Sequence, residues 1–286
     1  MGIRYTRLDL DLLHFDKIEF DPIKRCLIHH QAEASEQTIS SPASVLYRAP
    51  THLRESSGHR YSPEHLLQRH QWAAFARSLS VFVESYWVNP PASTYLAENK
   101  PYQLLVASQI GLQIPTTFVA NRLPASLASH EYVAVKALDS FFLRYQDSDL
   151  FFYTQRMRSS DLPDDACAAM PLVIQEYLTN KVDVRVTIVG TRCYAAETST
   201  IIDGDWRLNK ADAVFKAVTL PQGVENMCIT LTRQLGLIYG AIDLARIGDS
   251  FYFLEINPTG EWAWIDDLFD GEITEAVANE LITGAR

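Results

Sequence analysis

Several common catalytic and phosphate-binding patterns are missing from this sequence of 286 residues. It contains no GxSxG, the pattern that presents a serine nucleophile, and no GxxxxGK[ST] phosphate-binding loop. All eight histidines lie between His14 and His130. The lack of histidine in the second half argues against a histidine-based catalytic triad or an HExxH metal site there.

Paired cysteines and long apolar runs are also absent. The four cysteines lie far apart and form no CxxC pair, which argues against a disulfide framework or a zinc site and favours reduced thiols. There is no run of 18 apolar residues that could span a membrane. The first residues include Asp9, Asp11 and Asp16 and no apolar signal-peptide core. The sequence therefore predicts a cytoplasmic protein without a membrane partner.

Basic residues are outnumbered by acidic ones, 25 to 35, for a formal net charge of −10. Binding to a nucleic-acid backbone depends mainly on Lys and Arg, so we expect no nucleic-acid partner. Hydrophobic residues make up 47% of the chain, enough for a sizeable core in one large domain or two smaller ones.

Proline, asparagine and glycine mark the main boundaries in the chain. The stretch VNPPAS, residues 88–93, interrupts a helical pattern that begins near Ser62 and continues to Trp87, and it is the predicted domain boundary. The next segment, ENKPYQLLVASQIGL, predicts a helix with Asn99 as its cap and Gly111 just past its end.

Two predicted strands carry charged residues in unusual positions. In EYVAVKAL, alternation places Lys136 on the face of Tyr132 and Ala134; the residue alone fits either an edge-strand lysine reaching water or a functional one. In VDVRVTIVG, Asp183 and Arg185 share a face. A three-residue loop after this strand would put Arg185 opposite Glu197, whereas a two-residue loop would put Glu197 on the other face.

The pair of strands GAIDLARI and FYFLEIN predicts a hairpin with acidic side chains near its end. With a three-residue loop, 248–250, Ile247 faces Phe251 and Asp243 lies opposite Glu255. Asn257 shares the face of Glu255. Hard oxygen ligands without His or Cys suit magnesium, although a polar sheet end solvated by water is the alternative.

The motifs resemble those of ATP-grasp ligases in order and spacing. These motifs are ENKPYQLLVASQIGLQIPTT, VAVKAL, QEYL, DVRVTIVGTRCYAAE and GAIDLARIGDSFYFLEINPTGEW. INPTGEW, WVNPPAS and DGDWR are similar to motifs of the graspetide, or microviridin-type, peptide maturases. Ribosomal-protein glutamate ligases are more distant relatives. The resemblance covers about residues 85–265.

The resemblance implies an α/β (α+β) chain with an ATP-grasp fold, in which two α+β subdomains clamp ATP. The expected domains are a shortened N-terminal α/β domain over residues 1–97 and an ATP-grasp domain over residues 98–286. The latter divides into subdomains at 98–178 and 179–286.

The resemblance also implies the role of each site residue, with ATP and magnesium as cofactors. Lys100 and Lys136 contact phosphates, the hinge beside adenine is Gln175, Glu176, Tyr177 and Leu178, and Asp183 meets the ribose. Asp243, Glu255 and Asn257 hold magnesium. Arg185 and Arg207 are the catalytic arginines, facing the phosphoryl group or the acceptor carboxylate, a task suited to a planar guanidinium.

Two segments depart from the family pattern. The segment after Lys136, KALDSFFLRYQDSDLFFYT, has no glycine, although relatives often close a glycine-bearing loop over the phosphates. The N-terminal segment lacks a first strand and helix, which would leave a strand edge to be covered. We therefore expect a homodimer whose interface includes part of residues 1–97.

The leading functional hypothesis is an ATP-dependent ligase that forms an acyl phosphate and links side chains within a ribosomal precursor peptide as esters or amides. One alternative is a ligase that joins an amino acid to a peptide or small acid. Another is a nucleotide-binding interaction protein without turnover. The intact acidic residues favour the enzymes, and the glycine-free segment favours the binding protein.

Overall fold

The computed structural model of the chain describes residues 4–9, 17–30, 36–48, 62–138, 142–145, 148–151, 154–162, 169–199 and 213–284. The chain forms two compact units. One comprises Met1–Pro91, Arg144–Ser148 and Leu281–Arg286, and the other comprises Ala92–Leu143 and Asp149–Glu280.

The first unit contains two small sheets and a helix. Strands β1 (Lys17–Asp21), β2 (Cys26–His30) and β3 (Gln37–Ile39) form an antiparallel sheet, and β4 (Ser44–Leu46) pairs in parallel with β5 (Tyr86–Val88). Helix α1 (Pro63–Ser78) is followed by a 3₁₀ turn, Leu79–Val81. The predicted helix thus ends earlier than Trp87, because Tyr86–Val88 pairs with β4 instead.

Two helices follow the predicted boundary. Helix α2 (Pro91–Ala97) was not predicted, because its prolines suggested only a break; Pro91 in fact occupies the first helical position, where a missing N–H costs nothing. Helix α3 (Lys100–Gln109) begins as expected, with the Tyr102 N–H donating to Asn99 Oδ1 at 3.0 Å.

The second unit contains two antiparallel sheets. The four-stranded sheet has the order β10 (Gln155–Arg158), β7 (Tyr132–Lys136), β11 (Leu172–Glu176), β6 (Thr117–Ala120). Its apolar face packs a small core of Leu127, Val133, Val135, Leu162, Leu172 and Ile174. Two short strands, β8 (Phe142–Tyr145) and β9 (Ser148–Phe151), lie between β7 and β10 in the chain.

The five-stranded sheet has the order β14 (Phe215–Val218), β13 (Arg192–Thr198), β12 (Val182–Val189), β15 (Tyr239–Ile247), β16 (Ser250–Asn257). Helix α3 and helix α4 (Gln222–Gln234) cover one face of it. That face contributes Val184, Val186, Ile188, Ile242 and Leu244, all buried, to the largest core. The opposite face carries Asp183 and Arg185 of β12 and Asp243 of β15.

The last segment of the unit is helical. A short helix α5 (Ala263–Asp266) and a 3₁₀ turn (Asp267–Phe269) lead into α6 (Glu272–Thr283). Buried Asp266 accepts a hydrogen bond from the N–H of Ile273 at 3.0 Å, which fixes the start of α6. Among the helices of the described residues, none is long and apolar enough to cross a membrane.

Candidate active site

A pocket in the second unit brings most of the predicted residues together. It lies between the four-stranded and five-stranded sheets and is lined by residues of both. The predicted residues in its lining are Lys136, Gln175, Glu176, Tyr177, Leu178, Asp183, Arg185, Asp243 and Glu255. Ala134, Thr154, Lys181, Val184, Phe215, Leu244 and Leu254 complete the lining and were not predicted.

A buried ion pair in the pocket joins neighbouring strands. Arg185 on β12 lies opposite Asp243 on β15, and its Nη1 donates to Asp243 Oδ1 at 2.7 Å. Both side chains are largely buried, with relative exposures of 8% and 13%. Glu197 pairs with Val184 across a two-residue turn, so it lies on the other face and bonds Arg246 instead.

Glu255 reaches the position opposite Asp243 by a different route from the predicted one. The hairpin loop has two residues, Gly248 and Asp249, rather than three, since Ile247 pairs with Ser250. Continued in that register, Leu254 would oppose Asp243. A bulge between Asp243 and Leu244 shifts the pairing by one residue and places Glu255 there. The predicted pairing is present, but the predicted loop length is wrong.

Strand β16 is held beside the bulge by two glutamines. The Gln103 side chain on α3 donates to the Ile256 carbonyl at 2.8 Å and accepts from the Ile256 N–H at 3.0 Å. The N–H of Phe253 donates to the Gln113 carbonyl at 2.8 Å. These bonds satisfy backbone groups on both sides of Glu255 and fix its strand against the helix layer.

Lys100 and the third predicted metal ligand, Asn257, lie close to Glu255. Lys100 Nζ, at the start of α3, is 3.8 Å from Glu255 Oε2. Asn257 pairs with Ala241 one step further along the hairpin and shares the face of Glu255. Its Oδ1 accepts from the N–H of Thr259 at 3.0 Å, and its side chain is not part of the pocket lining.

The donor set fits magnesium only as a partial site. Among the described residues there is no group of three or more His, Cys, Asp or Glu that could hold a metal. Asp243 and Glu255 supply two carboxylates and Asn257 an amide oxygen, which are the hard oxygens that magnesium prefers. Magnesium normally completes such a set with waters and substrate phosphates, so the residues suit a metal that arrives with a nucleotide.

Lys136 lies at the end of β7 on the pocket face. Its Nζ donates to Gln175 Oε1 at 2.8 Å, and Gln175 Nε2 donates to Thr117 Oγ1 at 2.7 Å. These bonds link the neighbouring strands β7, β11 and β6 and fix the position of the lysine amino group. In the predicted hinge, residues 175–178, Glu176 Oε2 accepts a hydrogen bond from the N–H of Thr116 at 3.2 Å.

Asp183 has a buried cationic neighbour that the sequence analysis missed. Lys181, with 8% exposure, forms an ion pair with Asp183 and lines the pocket. The signal was present in the sequence, since Lys181 precedes Asp183 by two residues, the spacing that places Asp183 and Arg185 on one face of β12. A ribose at Asp183, as the resemblance implies, would compete with this lysine.

An aromatic pair adjoins Arg185. The ring of Trp264 lies 5.9 Å from the Arg185 guanidinium carbon, and it packs edge-on against Phe215 with ring centroids 5.0 Å apart. No strand or metal pattern marks these two residues, because α5 and β14 meet only in the folded chain. Arg207, the second predicted catalytic arginine, lies outside the described residues.

Comparison with known protein families supports the resemblance. Residues 154–280 match the model of the RimK-like ATP-grasp domain. Comparison with curated proteins gives no match. The matched region contains β12, the β15–β16 hairpin and the residues Arg185, Asp243 and Glu255.

Solved structures extend the likeness to nearly the whole chain. A RiPP-associated ATP-grasp ligase from Chryseobacterium gregarium, in complex with ADP and a leader and core peptide, has a TM-score of 0.84 at 23% identity, covering 98% of this chain and 89% of that one. The macrocyclase MdnC from Microcystis aeruginosa MRC, bound with precursor peptide MdnA, has a TM-score of 0.79 at 23% identity, covering 97% and 90%.

A third structure is the ATP-grasp ligase PsnB, complexed with a phosphomimetic variant of a minimal precursor, Mg and ADP. Its TM-score is 0.70 at 18% identity, and the match covers 95% of this chain and 86% of that one. The chain therefore has the α+β ATP-grasp fold, and its residues 154–280 are similar to the RimK-like ATP-grasp domain, so the expected resemblance and fold class are confirmed.

Proposed function

We propose that the protein is an ATP-dependent ligase that activates a carboxylate and transfers it to an amine or hydroxyl. One observation carries the proposal: the row formed by Arg185, Asp243 and Glu255 lies in the same pocket as Lys136. The row offers two anionic oxygen donors and a guanidinium within one cross-strand step. The lysine adds a second cation, as phosphoryl transfer requires.

Different residues of the site would bind different parts of ATP and its metal ion. When bound, ATP supplies the phosphoryl group and magnesium neutralises phosphate charge. Asp243, Glu255 and Asn257 would hold the metal, and Lys136 and Lys100 would contact phosphates. The backbone of the hinge, residues 175–178, would read the edge of the base, and Asp183 would meet the ribose.

Arg185 would receive the substrate carboxylate or the phosphoryl group. Its guanidinium can bind two oxygens at once, and burial strengthens such contacts. An acyl phosphate formed at this point is attacked by an amine or hydroxyl, and inorganic phosphate leaves. No protein nucleophile takes part, in keeping with the absence of GxSxG and of histidine from this half of the chain.

The proposed substrate is a ribosomal precursor peptide whose Asp or Glu side chains are joined to Ser, Thr or Lys side chains. Solved structures of similar fold hold leader, core or precursor peptides, which supports a peptide substrate. Donor and acceptor on one chain would make the second step intramolecular, an advantage of about 7–11 kcal/mol at best.

Hydroxylamine trapping tests the reaction class. The protein would be incubated with ATP, magnesium and synthetic peptides that contain Asp, Glu, Ser, Thr and Lys, with hydroxylamine present. A peptide hydroxamate together with ADP is the expected product, because hydroxylamine captures an acyl phosphate. Nucleotide binding without hydroxamate, ADP or crosslink for any peptide would favour the interaction-protein hypothesis.

Mass spectrometry without hydroxylamine separates the two ligase hypotheses. Loss of the mass of one water per link indicates crosslinking within the peptide, whereas a gain in mass from a second substrate indicates intermolecular ligation.

The homodimer and the cytoplasmic location stay proposals. Light scattering that shows only a 32.3 kDa species at micromolar concentration would contradict the dimer.

A further inference from the structure

The two carboxylates of the proposed metal site already have cationic partners within the protein. Asp243 Oδ1 accepts from Arg185 at 2.7 Å, and Glu255 Oε2 lies 3.8 Å from Lys100 Nζ. The Arg185–Asp243 pair is the more buried, and Lys100 and Glu255 have side-chain exposures of 17% and 30%. The four groups together have no net formal charge.

The amide oxygen of the site, Asn257 Oδ1, also has partners within the protein. Asn257 Oδ1 accepts from the Thr259 N–H at 3.0 Å and from its hydroxyl at 3.2 Å. A metal that used Asn257 would share or displace these donors. The strongest attraction for a divalent cation, however, comes from the carboxylates, and both are neutralised by their partners.

The two ion pairs determine how strongly a divalent cation and a nucleotide bind, alone or together. A divalent cation alone gains little, because it must take Asp243 from Arg185 and Glu255 from Lys100 while leaving two cations near it. Nucleotide phosphates change that balance, since they can accept Arg185 and Lys100 and add anionic oxygens of their own.

We infer that Arg185 and Lys100 act as internal competitors of the metal, and that nucleotide and metal bind by an exchange of ion-pair partners. The inference rests on the proposed function. Asp243 and Glu255 exchange their cations for the metal, while Arg185 and Lys100 exchange carboxylates for phosphate or substrate oxygens. Each ligand therefore raises the affinity for the other by the same factor.

The exchange also makes Arg185 fully available to the substrate only after nucleotide and metal have bound. While it is bonded to Asp243, one of its nitrogens is engaged, and fewer of its five N–H donors are available to a substrate carboxylate. Loading of the site releases the guanidinium beside Trp264. The chain thereby couples the presence of both ATP and metal to the availability of the arginine that receives the substrate.

Manganese binding provides the test, with free Mn²⁺ followed by electron paramagnetic resonance and no turnover required. For the wild-type chain, we expect ADP to tighten Mn²⁺ binding by about 5–150-fold, the usual range for coupled ligands. Without nucleotide, Arg185→Met should tighten Mn²⁺ binding by at least about fivefold, because Asp243 loses its competitor. Lys100→Met should act in the same direction with a smaller gain.

Lys181→Met is the matched control. Lys181 is also a buried pocket cation, but its partner Asp183 is not a predicted metal ligand. Equal gains in Lys181→Met and Arg185→Met would show a general effect of removing positive charge and would overturn the exchange. Circular dichroism establishes that each variant is folded. If Arg185→Met is not, the Lys100→Met result decides, since that pair is more exposed.

The outcomes also separate the exchange from the proposed function. If wild type binds Mn²⁺ with ADP but neither Arg185→Met nor Lys100→Met changes Mn²⁺ affinity, only the exchange is wrong. If no Mn²⁺ binds with ADP, the metal site and the proposed function fail, and the exchange fails with them.

Discussion

The two faces of the five-stranded sheet carry opposite chemistry on the same strands. On β12, Val184, Val186 and Ile188 face the helices and are at most 2% exposed. Asp183 and Arg185 alternate with them and line the pocket. Along β12, one face is thus packed in the apolar core and the other carries side chains in ion pairs. Substitutions of neighbouring residues should therefore affect stability and ligand binding separately.

The largest expected effect is on the pocket face. Asp243→Asn keeps the shape of the side chain but removes a carboxylate that a divalent cation would need. We expect magnesium-dependent ADP formation to fall by about a hundredfold or more, as for loss of a main electrostatic group in other active sites. A folded variant by circular dichroism with wild-type turnover at low magnesium would disprove the metal assignment.

The adjacent residue on β15 tests the apolar face. Ile242 is fully buried in the core between the sheet and helices α3 and α4. Ile242→Ala should lower the free energy of unfolding by about 2–5 kcal/mol, the usual cost of a large-to-small core change. Urea denaturation measures the loss. A change below the error of that experiment would show that the helix layer does not depend on this contact.

Lys136→Met sharpens the comparison on the four-stranded sheet. The lysine shares a face with Ala134 in the pocket, and its Nζ donates to the neutral Gln175 at 2.8 Å. We expect weaker ATP binding by calorimetry and a nearly unchanged or raised melting temperature, because methionine retains the apolar stem. A large drop in melting temperature with unchanged ATP affinity would assign Lys136 a structural role.

Thr187 is an exception on the charged face. Its hydroxyl is fully buried, and no hydrogen-bond partner is found for it among the described residues. Thr187→Val removes that hydroxyl with little change of shape, so the free energy of unfolding should rise by about 1 kcal/mol. Denaturation of Thr187→Ser, which keeps the hydroxyl, is the control. A loss of stability in Thr187→Val would indicate that the hydroxyl is bonded in solution.

The smallest effect is a pH dependence from the apolar face. Burial raises the pKa of the Cys193 thiol to about 12, and burial also raises the pKa of Cys228. The unfolded chain therefore releases these protons at lower pH than the folded chain, so stability should fall as pH rises above about 8.5.

Alkylation provides a second measurement of the same thiols. Cys193 and Cys228 should resist iodoacetamide in the folded chain and react once it is unfolded, because only thiolates react. Replacing both with alanine should remove the part of the alkaline stability loss that they cause. An unchanged pH profile in that variant would contradict the assignment.

The sequence by itself determined which residues share a face. Alternation with period two placed Asp183 with Arg185 and Lys136 with Ala134, and the asparagine cap fixed the start of α3. These features are local, because side-chain direction in a strand and capping at a helix end depend on a few neighbouring residues. The resemblance then supplied the expected ATP-grasp fold.

Only the tertiary structure decided the register of the hairpin and the partners of its charges. The two-residue loop alone would pair Asp243 with Leu254, and the bulge restores its pairing with Glu255. Three further contacts depend on side-chain conformation or on segments far apart in the chain. They are Lys181 with Asp183, Lys100 with Glu255, and Trp264 with Arg185. A bulge leaves one residue of the strand unpaired. Gln103 on α3 hydrogen-bonds Ile256 beside it, and this contact joins residues far apart in the chain, so no short stretch of sequence specifies it.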